Sequence, residues 1–347
     1  MPLGNYISII INTVCIGMRK RKSIRSRKTR RSHRLKGGSG ERPMENPLID
    51  AVQRGDAKKC ASVIAEGVDT DEKDVIGRTP LYISAINGHS DICQILLEAG
   101  AKVDETDDTG RSPLFISASN GRTEICGILI EAGAVVDLEN VPGLTPLSIA
   151  ALYGHADICQ ILIKAGADIN HSPITSGNTP LLFAATDNHA ETCKVLLEAG
   201  ADVNKSNKEH ESPLTAAAAN GHTEICRILF LAGADINHEA APIPGGHHEY
   251  WDTPLILAAR YGHTETCKYL FQPSDEKFYI SALDTALRES RSESTCKFFV
   301  DQMLPQGTTI RRNPDGTYET SLHLLDASNM TVMFNCSCAS VSSTFGD

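Results

Sequence analysis

Apolar residues in this chain fall into short runs at three-to-four spacing, and the runs come in pairs. In Gly77–Thr109 the first run, LYISAING, follows Thr79 and Pro80. Thr79 is placed to cap a helix, and Pro80 takes the first helical position, where a missing N–H costs nothing. The second run, SDICQILLEAG, sets Ile92, Ile95, Leu96 and Ala99 on one helical face. Gly88 and Gly100 close the two helices, and AKVDETDDTGR crosses to the next pair with a turn at Gly110. Both helices are shorter than the roughly 12–15 residues a lone helix needs in water. Each must therefore bury its apolar face against a neighbour.

The neighbour is more of the same. Thr79-Pro80, Ser112-Pro113, Thr145-Pro146, Thr179-Pro180, Ser212-Pro213 and Thr253-Pro254 repeat the opening. Cys93, Cys126, Cys159, Cys193, Cys226 and Cys267 follow them at steps of 33, 33, 34, 33 and 41, with Cys60 one step of 33 earlier. A period near 33 predicts a stacked array of helix pairs. The array is expected over 45–273, preceded by a basic leader (1–44) that reads as disordered. A degenerate helical cap (274–304) and an irregular tail (305–347) that can hold a hairpin about Asn313-Pro314-Asp315-Gly316 are expected to follow.

The line Thr-Pro-Leu, helix, Gly-His, helix, Leu-Leu-x-x-Gly-Ala resembles the ankyrin repeat. The resemblance covers about residues 45–273, as six clear repeats and a leading cap. It implies an all-α fold: an ankyrin-repeat solenoid of stacked helix-turn-helix units with projecting β-hairpin-like loops. It also implies a protein-binding module that uses its loops and inner helices. The chain departs from the family by lacking histidine after Thr-Pro-Leu, where Tyr82, Phe115, Ser148, Leu182, Thr215 and Ile256 stand. The bond from such a histidine to the capping hydroxyl is expected to be absent throughout, which lowers stability by about 0.5–1.5 kcal/mol per repeat. Gly-His between the helices is kept at Gly88-His89, Gly154-His155, Gly221-His222 and Gly262-His263, and becomes Gly121-Arg122 and Asn188-His189 elsewhere. Recurrence at a framework position points to a structural role for these histidines.

Charge narrows the choice of partner. Residues 1–36 hold eleven Lys/Arg and no carboxylate, so the remainder carries 22 basic against 43 acidic residues. An acidic body repels phosphates, which disfavours nucleic acid as the partner of the array and favours a monomer. Equal steps of about 8–10 Å between stacked units put neighbouring cysteines beyond disulfide reach and keep them from converging on one metal. They read as buried small hydrophobes, which implies a reducing compartment, the cytoplasm. The nucleus is open to the chain only if the basic stretch Arg19–Lys36 is expressed, since Met44 opens a plausible first helix of its own. The apolar run 6–18 is too short to span a bilayer.

Binding is expected where the repeats differ. The sixth residue after each Thr/Ser of the Thr-Pro pair is always alanine, and the next two vary. These variable ends give the candidate groove row Asn87, Asn120, Tyr153, Asp187, Asn220, Arg260 and Tyr261. Tyr153, Arg260 and Tyr261 are the favoured anchors, because Tyr and Arg dominate binding hot spots. The loops supply Glu105, Asp107 and Asp108 at an acidic early end and Lys205 and Lys208 further on. The long step of 41 comes from an insertion, HEAAPIPGGHHEYWD (238–252), which adds His247, Tyr250 and Trp251 as a candidate recognition finger. No phosphate loop, nucleophile elbow, zinc-protease helix or CxxC pair is present, so no catalytic residue, cofactor or metal is expected. The reading is a non-enzymatic interaction scaffold. An adaptor or host-directed effector recruiting an enzyme through 274–347 is the alternative.

Overall fold

A computed structural model describes residues 46–240, 252–271, 282, 292–303, 311–312, 317–321 and 333–337. The stack opens with α1 (Pro47–Arg54) and α2 (Ala57–Ala65). Six further pairs follow: α3 (Pro80–Asn87) with α4 (Ser90–Glu98), α5 (Pro113–Ser119) with α6 (Thr123–Glu131), and α7 (Pro146–Leu152) with α8 (Ala156–Lys164). Then come α9 (Pro180–Thr186) with α10 (Ala190–Glu198), α11 (Pro213–Ala219) with α12 (Thr223–Leu231), and α13 (Pro254–Arg260) with α14 (Thr264–Leu270). Each inner helix packs on its own outer helix and on the neighbouring inner helices. This is the all-α stack of helix-turn-helix units that the period demands.

Capping follows the sequence closely. Thr79, Ser112, Thr145, Thr179, Ser212 and Thr253 each accept a bond from the backbone N–H three residues on. Two repeats also recover part of what the missing histidine would supply. Ser148 Oγ lies 3.1 Å from Thr145 Oγ1, and Thr215 Oγ1 accepts the Ser212 N–H at 2.7 Å in a reciprocal capping box. The expected loss at every repeat is therefore corrected: short hydroxyls at that position reach the cap themselves.

The seven cysteines from Cys60 to Cys267 are free and fully buried. Burial pushes their thiols up to about 11 or 12, so they carry no thiolate at neutral pH. The alanines Ala85, Ala118, Ala151, Ala185, Ala218 and Ala259 are likewise at zero exposure.

Two ladders tie each unit to the next. In the first, a histidine at the start of one outer helix reaches back to the end of the preceding inner helix. His189 Nε2 lies 3.0 Å from Leu152 O, His222 Nε2 3.0 Å from Thr186 O, and His263 Nε2 3.0 Å from Ala219 O. The ring sits over the glycine of the earlier unit. A Cβ on Gly154 would come within 2.3 Å of His189 Nδ1, and one on Gly221 within 2.4 Å of His263 Nδ1. Both glycines also have positive φ, 73° and 72°, so backbone and contact demand the same residue. In the second ladder a loop Asp or Asn accepts a backbone N–H from the next loop. Asp71 takes Lys102, Asp104 takes Val135, Asp137 takes Asp168, Asn170 takes Asp202 and Asn204 takes Asp235, at 2.8–3.1 Å.

After α14, α15 (Glu293–Met303) adds Phe298 and the buried Phe299 to Phe271, with ring centroids 5.2–6.2 Å apart. In the tail, β1 (Arg311–Arg312) pairs antiparallel with β2 (Thr317–Ser321), which pairs antiparallel with β3 (Met333–Ser337). The third strand lies in the tail beyond the hairpin expected about Asn313-Pro314-Asp315-Gly316. The register of strand pairing is set between segments, which a search for periodicity within one segment does not see. Among the described residues no helix is long and apolar enough to cross a membrane.

Candidate protein-binding site

At the ends of the inner helices the variable positions are at least partly open. Asn87, Asn120, Tyr153 and Asp187 are exposed, while Asn220 and Tyr261 are half-buried. Tyr153 and Tyr261 each lean on the histidine two residues on, His155 and His263, with centroids 6.4 Å apart. Asn120 and Asn220 turn their amide nitrogens back to Ile116 O and Ala216 O at 2.7 and 2.9 Å. Their Oδ1 atoms remain as acceptors on the face.

Arg260 does not serve as a free anchor. Its guanidinium grips the carboxylate of Asp252 through two nitrogens, one bond at 2.9 Å, and its side chain is only 13% exposed. Asp252 also pairs with Ala240 through the backbone at 3.0 and 3.2 Å, which closes the base of the insertion. Arg260 thus holds the insertion's base, a role that only the fold reveals. His247, Tyr250 and Trp251 lie outside the described residues.

Asp187 is the opposite case. Its side chain forms no hydrogen bond or ion pair among the described residues, and partial burial raises its carboxyl above the ordinary value, opposed by His189 and His222. Burial in turn lowers His222 and His155, so these rings stay neutral and act through their hydrogen bonds.

The loop residues divide as well. Asp107 is 6% exposed, and its carboxylate is taken up by its own loop and by the helix before it. Oδ1 accepts Thr109 N, Thr109 Oγ1 and Arg111 N at 2.9, 2.8 and 3.0 Å, and Oδ2 accepts Arg111 Nη2, Arg111 Nε and the buried Tyr82 hydroxyl at 2.6, 2.9 and 3.1 Å. Burial alone would raise this carboxyl, but the Arg111 and Thr109 bonds outweigh it and hold it below the usual range. It shapes the loop and offers nothing to a partner, which corrects the expectation that it sits at the tip. Asp108 is exposed as expected. Glu105 pairs with Lys73 of the previous loop at 2.9 Å, and Lys205 Nζ donates to Asn170 O at 2.7 Å, so both also serve as inter-unit ties. Lys208 is exposed.

Three tip residues outside the charged set are apolar: Val75, Val141 and Ile174, at 100%, 75% and 87% exposure. Val75, Val141 and Ile174 lie two or three residues before the positive-φ turn glycines Gly77, Gly143 and Gly177.

Glu211 stands where Arg78 and Arg111 stand in the early loops. Burial pushes its carboxyl up to about 7, helped by Glu209 and opposed by an Asn207 amide bond at 3.3 Å. Its folded value lies above the unfolded one of about 4.3, so the folded state holds an extra proton between them. The contribution is complete below that unfolded value and is lost as pH rises through about 7. Glu211→Gln is expected to raise stability at pH 8 by about 1–3 kcal/mol and to flatten its decline between pH 5 and 8. Denaturant titrations at both pH values test this, and an unaltered slope would mean the carboxyl is not desolvated.

Comparison with known proteins agrees with the geometry. The profile described as "Ankyrin repeats (3 copies)" matches residues 34–107, 99–173 and 147–240, and "Ankyrin repeat" matches 250–275. No curated protein sequence matches the chain. Among solved structures, the human ASB11 ankyrin repeat domain is similar at 28% identity and TM-score 0.59, covering 67% of this chain and all of that one. The ankyrin repeat domain of Bcl-3, described as a unique member of the IkappaB protein family, is similar at 26% identity and TM-score 0.55. That match covers 62% of this chain and 95% of the other. With repeat units, caps and profile matches in register over most of its length, the chain belongs to the ankyrin repeat family.

Proposed function

We propose that this protein is a non-enzymatic scaffold that binds a protein partner through the inner-helix face and the hairpin tips. Ankyrin repeats are in general protein–protein interaction modules, and the observation that carries the reading here is the apolar tip row. Val75, Val141 and Ile174 stand fully or largely exposed at the tips, while Val135 and Leu231 are open elsewhere on the stack. Exposed apolar residues spaced along one edge gain most when another protein covers them. Asp108 among them and the exposed Tyr153 on the helix ends add polar and aromatic contacts. The buried, protonated thiols are suited to a reducing cytoplasm.

Proximity labelling in the native cell tests this with three forms: the wild type, a Val75→Ser/Val141→Ser/Ile174→Ser variant, and a Tyr153→Ala/Tyr261→Ala variant. Proteins labelled by the wild type should drop out for at least one variant while the melting profile stays the same. An unchanged labelled set in both variants would remove these faces from the function.

A further inference from the structure

The loop tips form an ordered row. Each turns on a positive-φ residue, Gly77, Gly110, Gly143, Gly177 or His210. The residues two places before these turns, Val75, Asp108, Val141, Thr175 and Lys208, share one register and are all exposed. Val141 N donates to Thr109 O at 3.0 Å, and Lys208 N to Ser176 O at 3.2 Å, the same tie at two junctions. A Cβ on Gly77, Gly110 or Gly177 would likewise meet the backbone N of Asp108, Val141 or Lys208, at 2.8, 3.2 and 3.0 Å. Ile174, at 87% exposure, stands beside Thr175. The side chains of Asp108 and Lys208 form no hydrogen bond or ion pair among the described residues.

Read in order, the row is Val, Asp, Val, Thr, Lys. A second copy turned about a two-fold axis runs antiparallel to it, so the position of the axis decides which side chains meet. With the axis between Val141 and Thr175, each Asp108 meets Lys208 of the other copy, and each Val141 meets Ile174 and Thr175. Glu209, one place nearer its turn, then faces Thr109 and no acid. Neighbouring positions of the axis fail. An axis through Val141 sets Lys208 over Val75, and one through Thr175 sets it over Val141. An axis between Asp108 and Val141 sets the acid over the valine. Each of these leaves a charge against an apolar side chain, which costs its hydration.

On the reading that the tips bind protein, we propose that their partner is a second copy of this chain, joined tip to tip about a two-fold axis between Val141 and Thr175. Val141 and Ile174 of both copies form the apolar centre, and an Asp108–Lys208 pair flanks it on each side. The net charge of the array opposes self-association, but this row carries one acid and one base, so repulsion is least where the copies meet. So few residues bury less than the ~1,200 Å² at which standard interfaces begin, which makes the dimer weak and reversible. The chain is then a monomer when dilute, as its net charge favours, and a dimer when concentrated. The exposed ion pairs set the register more than the strength.

Sedimentation velocity of the full-length chain from about 5 to about 500 μM tests this, a range suited to a weak dimer. The wild type should pass from monomer to dimer across it, and Val141→Ser/Ile174→Ser should stay monomeric. Asp108→Lys and Lys208→Asp should each weaken association at least about fivefold, because one swap creates two like-charge pairs. Mixing the two single variants in equal amounts restores both opposite-charge pairs, so the mixture should dimerise within about twofold of the wild type. Asp108→Asn or Lys208→Gln replaces a swap that alters the melting curve, and a loss below about twofold there overturns the proposal. A chain that stays monomeric to the highest concentration, a dimer that neither swap weakens, or weakening without rescue in the mixture also overturns it. The tip reading itself is decided separately. Labelled proteins lost from the Val75→Ser/Val141→Ser/Ile174→Ser variant keep it standing when the dimer fails, and an unchanged labelled set removes it.

Discussion

Replacing Asp107 by alanine is expected to cost the array about 3–5 kcal/mol, the scale of breaking a buried ion pair from one side. The carboxylate accepts six of the bonds that shape its loop, and its loss takes an acceptor from groups with little access to water. Arg111 keeps a charge on a side chain only 17% exposed, the fully buried Tyr82 hydroxyl loses its acceptor, and the Arg111 backbone N–H loses its bond to Oδ1. Asp108→Ala, one residue on and exposed, should cost less than about 0.5 kcal/mol. Tyr82→Phe isolates the single hydroxyl bond at about 1 kcal/mol. Denaturant titration of the three variants checks the order, and an Asp107→Ala loss no larger than that of Asp108→Ala would refute the buried role. The Asp107 carboxyl is depressed in the folded state, so its contribution is present above the ordinary carboxylate pKa. It fades as acidification passes through the lowered value.

Gly154→Ala should be the next most damaging change, at about 2–4 kcal/mol. Two penalties combine. An alanine at φ 73° costs about 1–2 kcal/mol in backbone strain. Its Cβ would also press on the His189 ring at 2.3–2.7 Å, and the ring cannot retreat without losing its bond to Leu152 O. Gly166 separates the terms: its φ is 93°, but a Cβ there meets nothing within 4 Å, so Gly166→Ala should show the backbone term alone. In the Gly154→Ala/His189→Ala double variant the contact disappears, and the two costs should fall short of their sum by about 1 kcal/mol. Additive costs would show that ring and glycine do not act together. Because the ladder joins neighbouring units, Gly154→Ala should also broaden the unfolding transition as the two halves decouple.

How legible each feature was depends on the sequence distance over which its cause acts. Thr79 capping Tyr82 N, and Gly88 turning out of its helix with φ 85°, involve residues a few places apart. The thiol ladder was legible because a period of 33 residues repeats one local environment. Arg260 was misjudged as an anchor because its partner Asp252 lies across a helix start, and composition favours arginine at interfaces whatever holds it in place. Asp107 was misjudged because Asp107 and Asp108 look alike in sequence, while the turn points one inward to Arg111 and the other outward.

The sequence by itself determined the repeating unit, its helices, its caps and the family, since all of these follow from short-range chemistry written several times over. Only the tertiary structure decided which variable side chains are available. Whether Arg260, Glu105 or Lys205 can meet a partner depends on neighbours that already hold it. Among the described residues the side chains of Asp187 and Arg122 meet no such neighbour.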